Sequence, residues 1–151
     1  MSIENAYLFQ GISEQTRDKI SALAVEESHA QGVFLFREGD PARHLYLLRE
    51  GRVRLSVGNR GLLAHVLSEP GDALGWSSVV EHDAYTASAE CLLPVKVVKI
   101  EGHGLNQILE KDPLSGLRFF RRLASLIGQR LVNCYQATLS VQGERDMRSY
   151  G

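Results

Sequence analysis

In the stretch RVRLSV, Val53, Leu55 and Val57 alternate with Arg52, Arg54 and Ser56. That period of two places apolar side chains on one face of a strand and polar ones on the other. The runs VFLFREGD, HLYLL, LLAHVL, YTASAECL and VKVVKI are β-prone in the same way, and Gly-Asp-Pro, Glu-Gly and Gly-Asn-Arg-Gly turns separate them. Pro94 marks a break or bulge before the last run. Seven or eight short strands at this spacing predict an antiparallel β jelly roll.

Helical periodicity brackets this β region. Ser13 is placed to cap a helix whose first turns carry Glu14 and Asp18 and whose apolar face holds Ile20, Leu23 and Ala24. After the strands, Gly104 to Glu110 reads as a short helix, and Asp112-Pro113 is a strong start signal for a long one. In that long helix, about residues 112–141, Leu117, Phe120, Ala124, Ile127, Leu131, Cys134, Thr138 and Val141 recur at spacings of three and four. Such a seam suits a partner helix, and a homodimer is the expected assembly. A second row, Leu114, Phe119, Leu123 and Leu126, is expected to pack on the chain's own strands. One broad stripe buried within the monomer is the competing expectation. Arg118, Arg121, Arg122 and Arg130 interrupt the rows and are expected in solvent or in salt bridges to a partner.

Composition narrows the function classes. At 151 residues and 44% hydrophobic the chain is one domain with a real core, expected over residues 1–143 with a polar tail at 144–151. A formal net charge of −1 supplies no bulk attraction for nucleic acid or membrane. The amino terminus shows no signal-peptide pattern and no apolar run spans a bilayer, so a cytosolic protein is expected. Cys91 and Cys134 match no metal or redox spacing and are expected to be reduced. His29, His44, His65, His82 and His103 are scattered singly, without the spacing of a metal site. Ser77 lacks the Gly-x-Ser-x-Gly setting of a nucleophile, so no catalytic residue and no metal ligand is assigned.

The stretch GVFLFREGDPARHLYLLREGRVRLSV, with Gly32, Gly39, Asp40, Leu45, Tyr46, Gly51 and Val53, followed by EPGDALG and VKVVKI, resembles a cyclic nucleotide-binding domain. It is similar to the sensor half of the cAMP receptor protein and fumarate–nitrate regulator family. The resemblance implies a mainly β fold, a double-stranded β-helix with amino-terminal helices and a long carboxy-terminal helix. It also implies a phosphate cassette, in which a short helix offers its free N–H groups to a cyclic phosphate, an Arg neutralises the phosphate and a Glu holds the ribose. Here the family's glycine falls on Gly75 and the helix on Trp76 to Val80. The Glu position falls on Trp76 and the Arg position on Tyr85.

The candidate ligand residues are therefore Gly75, Trp76, Ser77, Ser78, Tyr85 and Thr86, with Thr138 reaching in from the distal seam. Three readings of the loop remain open. It holds a cyclic nucleotide or another small anionic ligand weakly, it holds a less charged molecule against Trp76 and Tyr85, or Trp76 itself fills the pocket. A substitute cation would have to come from Arg43, Arg54 or Arg60, and alternation turns Arg54 outward. No cofactor is assigned with certainty. The chain ends too soon after the long helix for the DNA-reading helix-turn-helix of such regulators, so no specific nucleic-acid partner is expected. A non-catalytic small-molecule sensor is the leading expectation. A ligandless dimeric module that docks on a protein partner, or the sensor half of a transcription regulator, is the alternative.

Overall fold

The computed structural model describes residues 3–58 and 63–149, with side chains described at all of these but 63–64 and 141–149. Arg60 and the side chain of Val141 lie outside the described residues. Among the described residues, eight antiparallel strands form two four-stranded sheets. One sheet orders β1 (Val25–His29), β8 (Val95–Glu101), β3 (His44–Glu50) and β6 (Ala73–Leu74). The other orders β2 (Phe34–Phe36), β7 (Ser88–Cys91), β4 (Val53–Val57) and β5 (Leu63–Leu67). This is the jelly roll that the strand spacing predicts.

The period of two explains why β3 is apolar without interruption from Leu45 to Leu48. Leu45 and Leu47 face one cluster, with Val98, Ile100, Phe9, Ile20, Leu105 and Phe119. Tyr46 and Leu48 face the other, with Phe36, Val53, Leu74, Tyr85 and Val97. The first cluster joins the sheet to the helices and the second fills the roll, so β3 is covered on both sides.

Helix α1 (Glu14–Leu23) starts where the sequence predicts, and Ser13 Oγ accepts a hydrogen bond from the Thr16 N–H. The carboxylate of Asp112 then ties the start of α1 to the start of the last helix. It accepts from Ser13 Oγ at 2.8 Å, from Thr16 Oγ1 at 2.7 Å and from Ser115 Oγ at 2.6 Å. Asp112 thus caps the last helix and also holds the first one against it. Helix α2 (Gly102–Glu110) starts two residues before the expected Gly104, because the Glu101 side chain accepts the Gly104 N–H as a cap. A Cβ at Gly102 would sit 2.2 Å from the Ser78 carbonyl oxygen, so glycine is what lets α2 abut that loop.

Helix α3 (Pro113–Ser149) runs past the expected end near residue 141, and residues 144–149, read as a polar tail, continue it. Phe119 and Leu123 are buried and Leu126 packs beside them, but the row meets the amino-terminal segment and α2 more than the strands, with the Phe119 ring centroid 5.4 Å from that of Phe9. Leu114 departs from that row: it is 58% exposed at the first turn, ahead of where α3 meets the core. Leu117, Phe120, Ala124, Leu131, Cys134 and Thr138 lie on the exposed side. Ile127 instead packs against the chain's own core and so does not belong to a free seam. Arg130 also departs from expectation, because its guanidinium is drawn against the roll and donates to the Ala73 carbonyl oxygen.

Candidate ligand site of the roll

Strand β6 delivers the chain into Gly75, whose φ of 79° lies in the left-handed region. A Cβ there would come within 2.7 Å of the His44 carbonyl oxygen, so both the conformation and the space require glycine. The helix expected over Trp76 to Val80 is a single 3-10 turn, Trp76–Ser78. Ser78 bonds back to the Gly75 carbonyl through its N–H at 3.1 Å and its hydroxyl at 2.8 Å. The amide expected to face an anion at Ser78 is therefore already engaged. Ser77 is buried, and Thr86 is exposed beside it.

Tyr85 closes the cassette. Its ring stacks on Phe36 with centroids 3.9 Å apart and planes 15° from parallel. Its hydroxyl donates to the His44 carbonyl at 2.7 Å and accepts from the His44 N–H at 3.0 Å. Burial raises the phenol pKa, against the bonds to the His44 and Arg43 backbone that lower it. The cavity left between Tyr85, Phe36, Leu55 and Gly75 is about 20 Å³, room for about one water.

Trp76 borders this cavity but does not fill it. Its indole packs on the helix-side cluster and meets His82 edge-on at 5.6 Å. The occupant of the roll is thus Tyr85, where the third reading had Trp76. Of the proposed substitute cations, Arg54 pairs with Glu90 at 2.7 Å on the outer face and Arg43 is exposed. Thr138 is exposed, its hydroxyl bonded to the Cys134 carbonyl of its own helix, and this chain does not bring it to the cassette.

Arg130 is the residue that sequence reasoning missed. Phe119, Leu123, Leu126 and Arg130 follow one another at four, three and four residues, so the buried row itself ends on this arginine. The cation borders a cleft of about 400 Å³ between α3 and the β5–β6 turn, with Tyr7, His65, Glu69 and Asp72 on its walls. Burial lowers the Arg130 pKa and the Asp72 charge partly restores it. Among the described residues no group of three His, Cys, Asp or Glu is placed to hold a metal ion, and no helix is long and apolar enough to cross a membrane.

Two four-stranded antiparallel sheets, a glycine turn into a short 3-10 segment and a long last helix make up a cyclic nucleotide-binding fold. The family model for the cyclic nucleotide-binding domain matches residues 26–112, and the chain belongs to that family. A crystal structure from Geobacter metallireducens GS-15, assigned to the cyclic nucleotide-binding proteins, is 29% identical. It covers 82% of this chain and 91% of its own, with a TM-score of 0.72. The amino-terminal domain of a transcriptional regulator from Streptomyces coelicolor A3(2) is 25% identical, with a TM-score of 0.65, covering 86% of this chain and 95% of that one.

A cyclic nucleotide-binding domain from Methylobacillus flagellatus KT shares the fold at 21% identity, with a TM-score of 0.75 over 91% of this chain and 79% of that one. Among curated proteins, Glutaminase 1 of Bradyrhizobium diazoefficiens is 26% identical over 83% of this chain. An uncharacterised NTE family protein of Mycobacterium tuberculosis H37Rv is 27% identical over 85%. The chain spans 20% and 22% of the lengths of these two relatives.

Proposed function

We propose that this regulatory domain is non-catalytic, that its phosphate cassette no longer grips a cyclic phosphate, and that it pairs with a second copy through the outer face of α3. Tyr85 carries the second part of this reading. It stands where the family has its arginine, and both of its polar contacts are spent on the backbone of His44. Trp76 stands where the family has its glutamate and supplies no carboxylate for a ribose hydroxyl.

Removing one partner of a buried charge pair costs about 2–5 kcal/mol, and about 1.4 kcal/mol is tenfold in affinity. To enter the cassette cavity of about 20 Å³ a nucleotide has to displace Tyr85 from His44, since about 300 Å³ or more is the usual size of a small-molecule site; the cleft of about 360 Å³ on the Arg43 side of Tyr85 lies outside that cavity. Retention of cyclic nucleotides is therefore weak. The outer face of α3 supports pairing: Leu117, Leu131, Tyr135 and Leu139 are each roughly half exposed or more, with values of 47%, 49%, 59% and 66%. A row of this kind along one helix is the material of a two-helix seam.

Thermal unfolding with millimolar cAMP, cGMP and AMP tests the cassette. A cAMP-specific shift in Tm that is absent at micromolar concentration is the expected result, and a cAMP-specific shift of several degrees at micromolar concentration contradicts the reading.

A further inference from the structure

From the cleft between α3 and the β5–β6 turn we infer a second ligand site, built for a small zwitterion that carries a carboxylate and an ammonium group, as a free amino acid does. The observation behind it is the divided state of the Arg130 guanidinium. One terminal nitrogen donates to the Ala73 carbonyl, while Nη1 is buried and has no hydrogen-bond partner among the described residues. A charged donor held in that condition costs free energy unless an acceptor completes it; Nη1 is closed to solvent, so a carboxylate in the cleft reaches it by drawing the guanidinium outward. Among the described residues, Arg130 is the sole Lys or Arg on the cleft wall. Burial, and after it the Arg130 charge, lower the pKa of His65, so that imidazole adds no second cation near neutral pH.

The opposite charge is also present. Asp72 and Glu69 border the same cleft, with Asp72 Oδ2 accepting the Glu69 N–H at 3.1 Å. One cation and two carboxylates disfavour a dianion such as phosphate and favour a ligand with both signs of charge. Leu67 and Leu126 supply apolar wall between them, and about 400 Å³ is the size of a metabolite site. The cleft does not share the cassette's lining residues, so the inference stands whether or not the cassette reading holds.

The test is calorimetric titration of the whole chain with each of the twenty L-amino acids in turn, with acetate and inorganic phosphate as single-sign controls. At least one amino acid is expected to saturate the protein, with acetate and phosphate weaker by about tenfold or more. Arg130→Gln should weaken that amino acid by about thirtyfold or more. Glu69→Gln, at an exposed position that leaves the Ala73 contact intact, should weaken it by about threefold to tenfold. The inference is overturned if no amino acid binds at 10 mM (~100-fold above a typical metabolite affinity), if phosphate or acetate binds as tightly, or if Glu69→Gln leaves the amino acid's affinity unchanged.

Discussion

The hydroxyl of Tyr85 grips the backbone of His44 at both of its polar groups, donating to the carbonyl at 2.7 Å and accepting from the N–H at 3.0 Å. These two residues, 41 positions apart, stitch the segment after the 3-10 turn to the first residue of β3. The aromatic ring behind the hydroxyl occupies the mouth of the roll.

Tyr85→Phe removes both bonds and leaves two half-buried backbone groups without that partner. Stability should fall by about 1–3 kcal/mol, the usual cost of stranding polar groups of this kind. Urea unfolding followed by Trp76 fluorescence measures it. A loss below about 0.3 kcal/mol, the additivity noise of such experiments, would show that the clasp contributes nothing.

Alkali should act on the same interior. Burial raises the pKa of Tyr46 well above 10.0 and that of Tyr85 in the same direction. The unfolded chain therefore ionises first, near pH 10, so the contribution is fully present below that pH and is lost as pH climbs toward the folded values. Tyr46→Phe should flatten the alkaline limb of a Tm-against-pH profile. An unchanged limb would place the alkaline weakness elsewhere.

The acid limb belongs to Asp112. Bonds from Ser115, Thr16 and Ser13, in that order of strength, hold its carboxyl far below the usual 3.8. A depressed carboxylate contributes stability that is present above its unfolded pKa and is lost as pH falls through the folded value. Asp112→Asn should lower Tm at pH 7 and reduce the further loss between pH 4 and the acid extreme. The same acid slope in both proteins would contradict the link between α1 and α3.

Leu131 tests the pairing of two chains without disturbing one. It is 49% exposed, whereas Ile127 packs on the chain's own core, so a charge at Ile127 would confuse folding with assembly. Leu131→Asp should halve the mass seen by light scattering at micromolar concentration while leaving circular dichroism unchanged. A wild-type chain that is already monomeric at 100 µM, ~100-fold above a micromolar dissociation constant, would remove the dimer from the account.

Much of this architecture was legible from the residues. The strand at Val53–Val57 and the Asp112-Pro113 start are local signals that survive folding, although the alternation fades at the strand's end, where Val57 is 41% exposed. Ile127 and Arg130 were not legible as they stand. The inward row was legible, but its edge was not: Ile127, counted with the outer row, neighbours Leu126 and packs on the core with it. Once Phe119 and Leu123 are known to be buried, the row through Leu126 to Arg130 follows from helical geometry. The contraction of Trp76 to Val80 into one 3-10 turn was hidden for another reason: it follows from Ser78 turning back on Gly75, a choice with no periodicity to read.

The most direct measurement is a calorimetric titration of cAMP into the wild-type chain and into the double variant Trp76→Glu/Tyr85→Arg, which restores both charged groups of the cassette. The account predicts a dissociation constant weaker than about tens of micromolar for the wild type and at least about tenfold tighter for the variant. A wild type that binds cAMP at about 1 µM or better, with the variant no tighter, would contradict it.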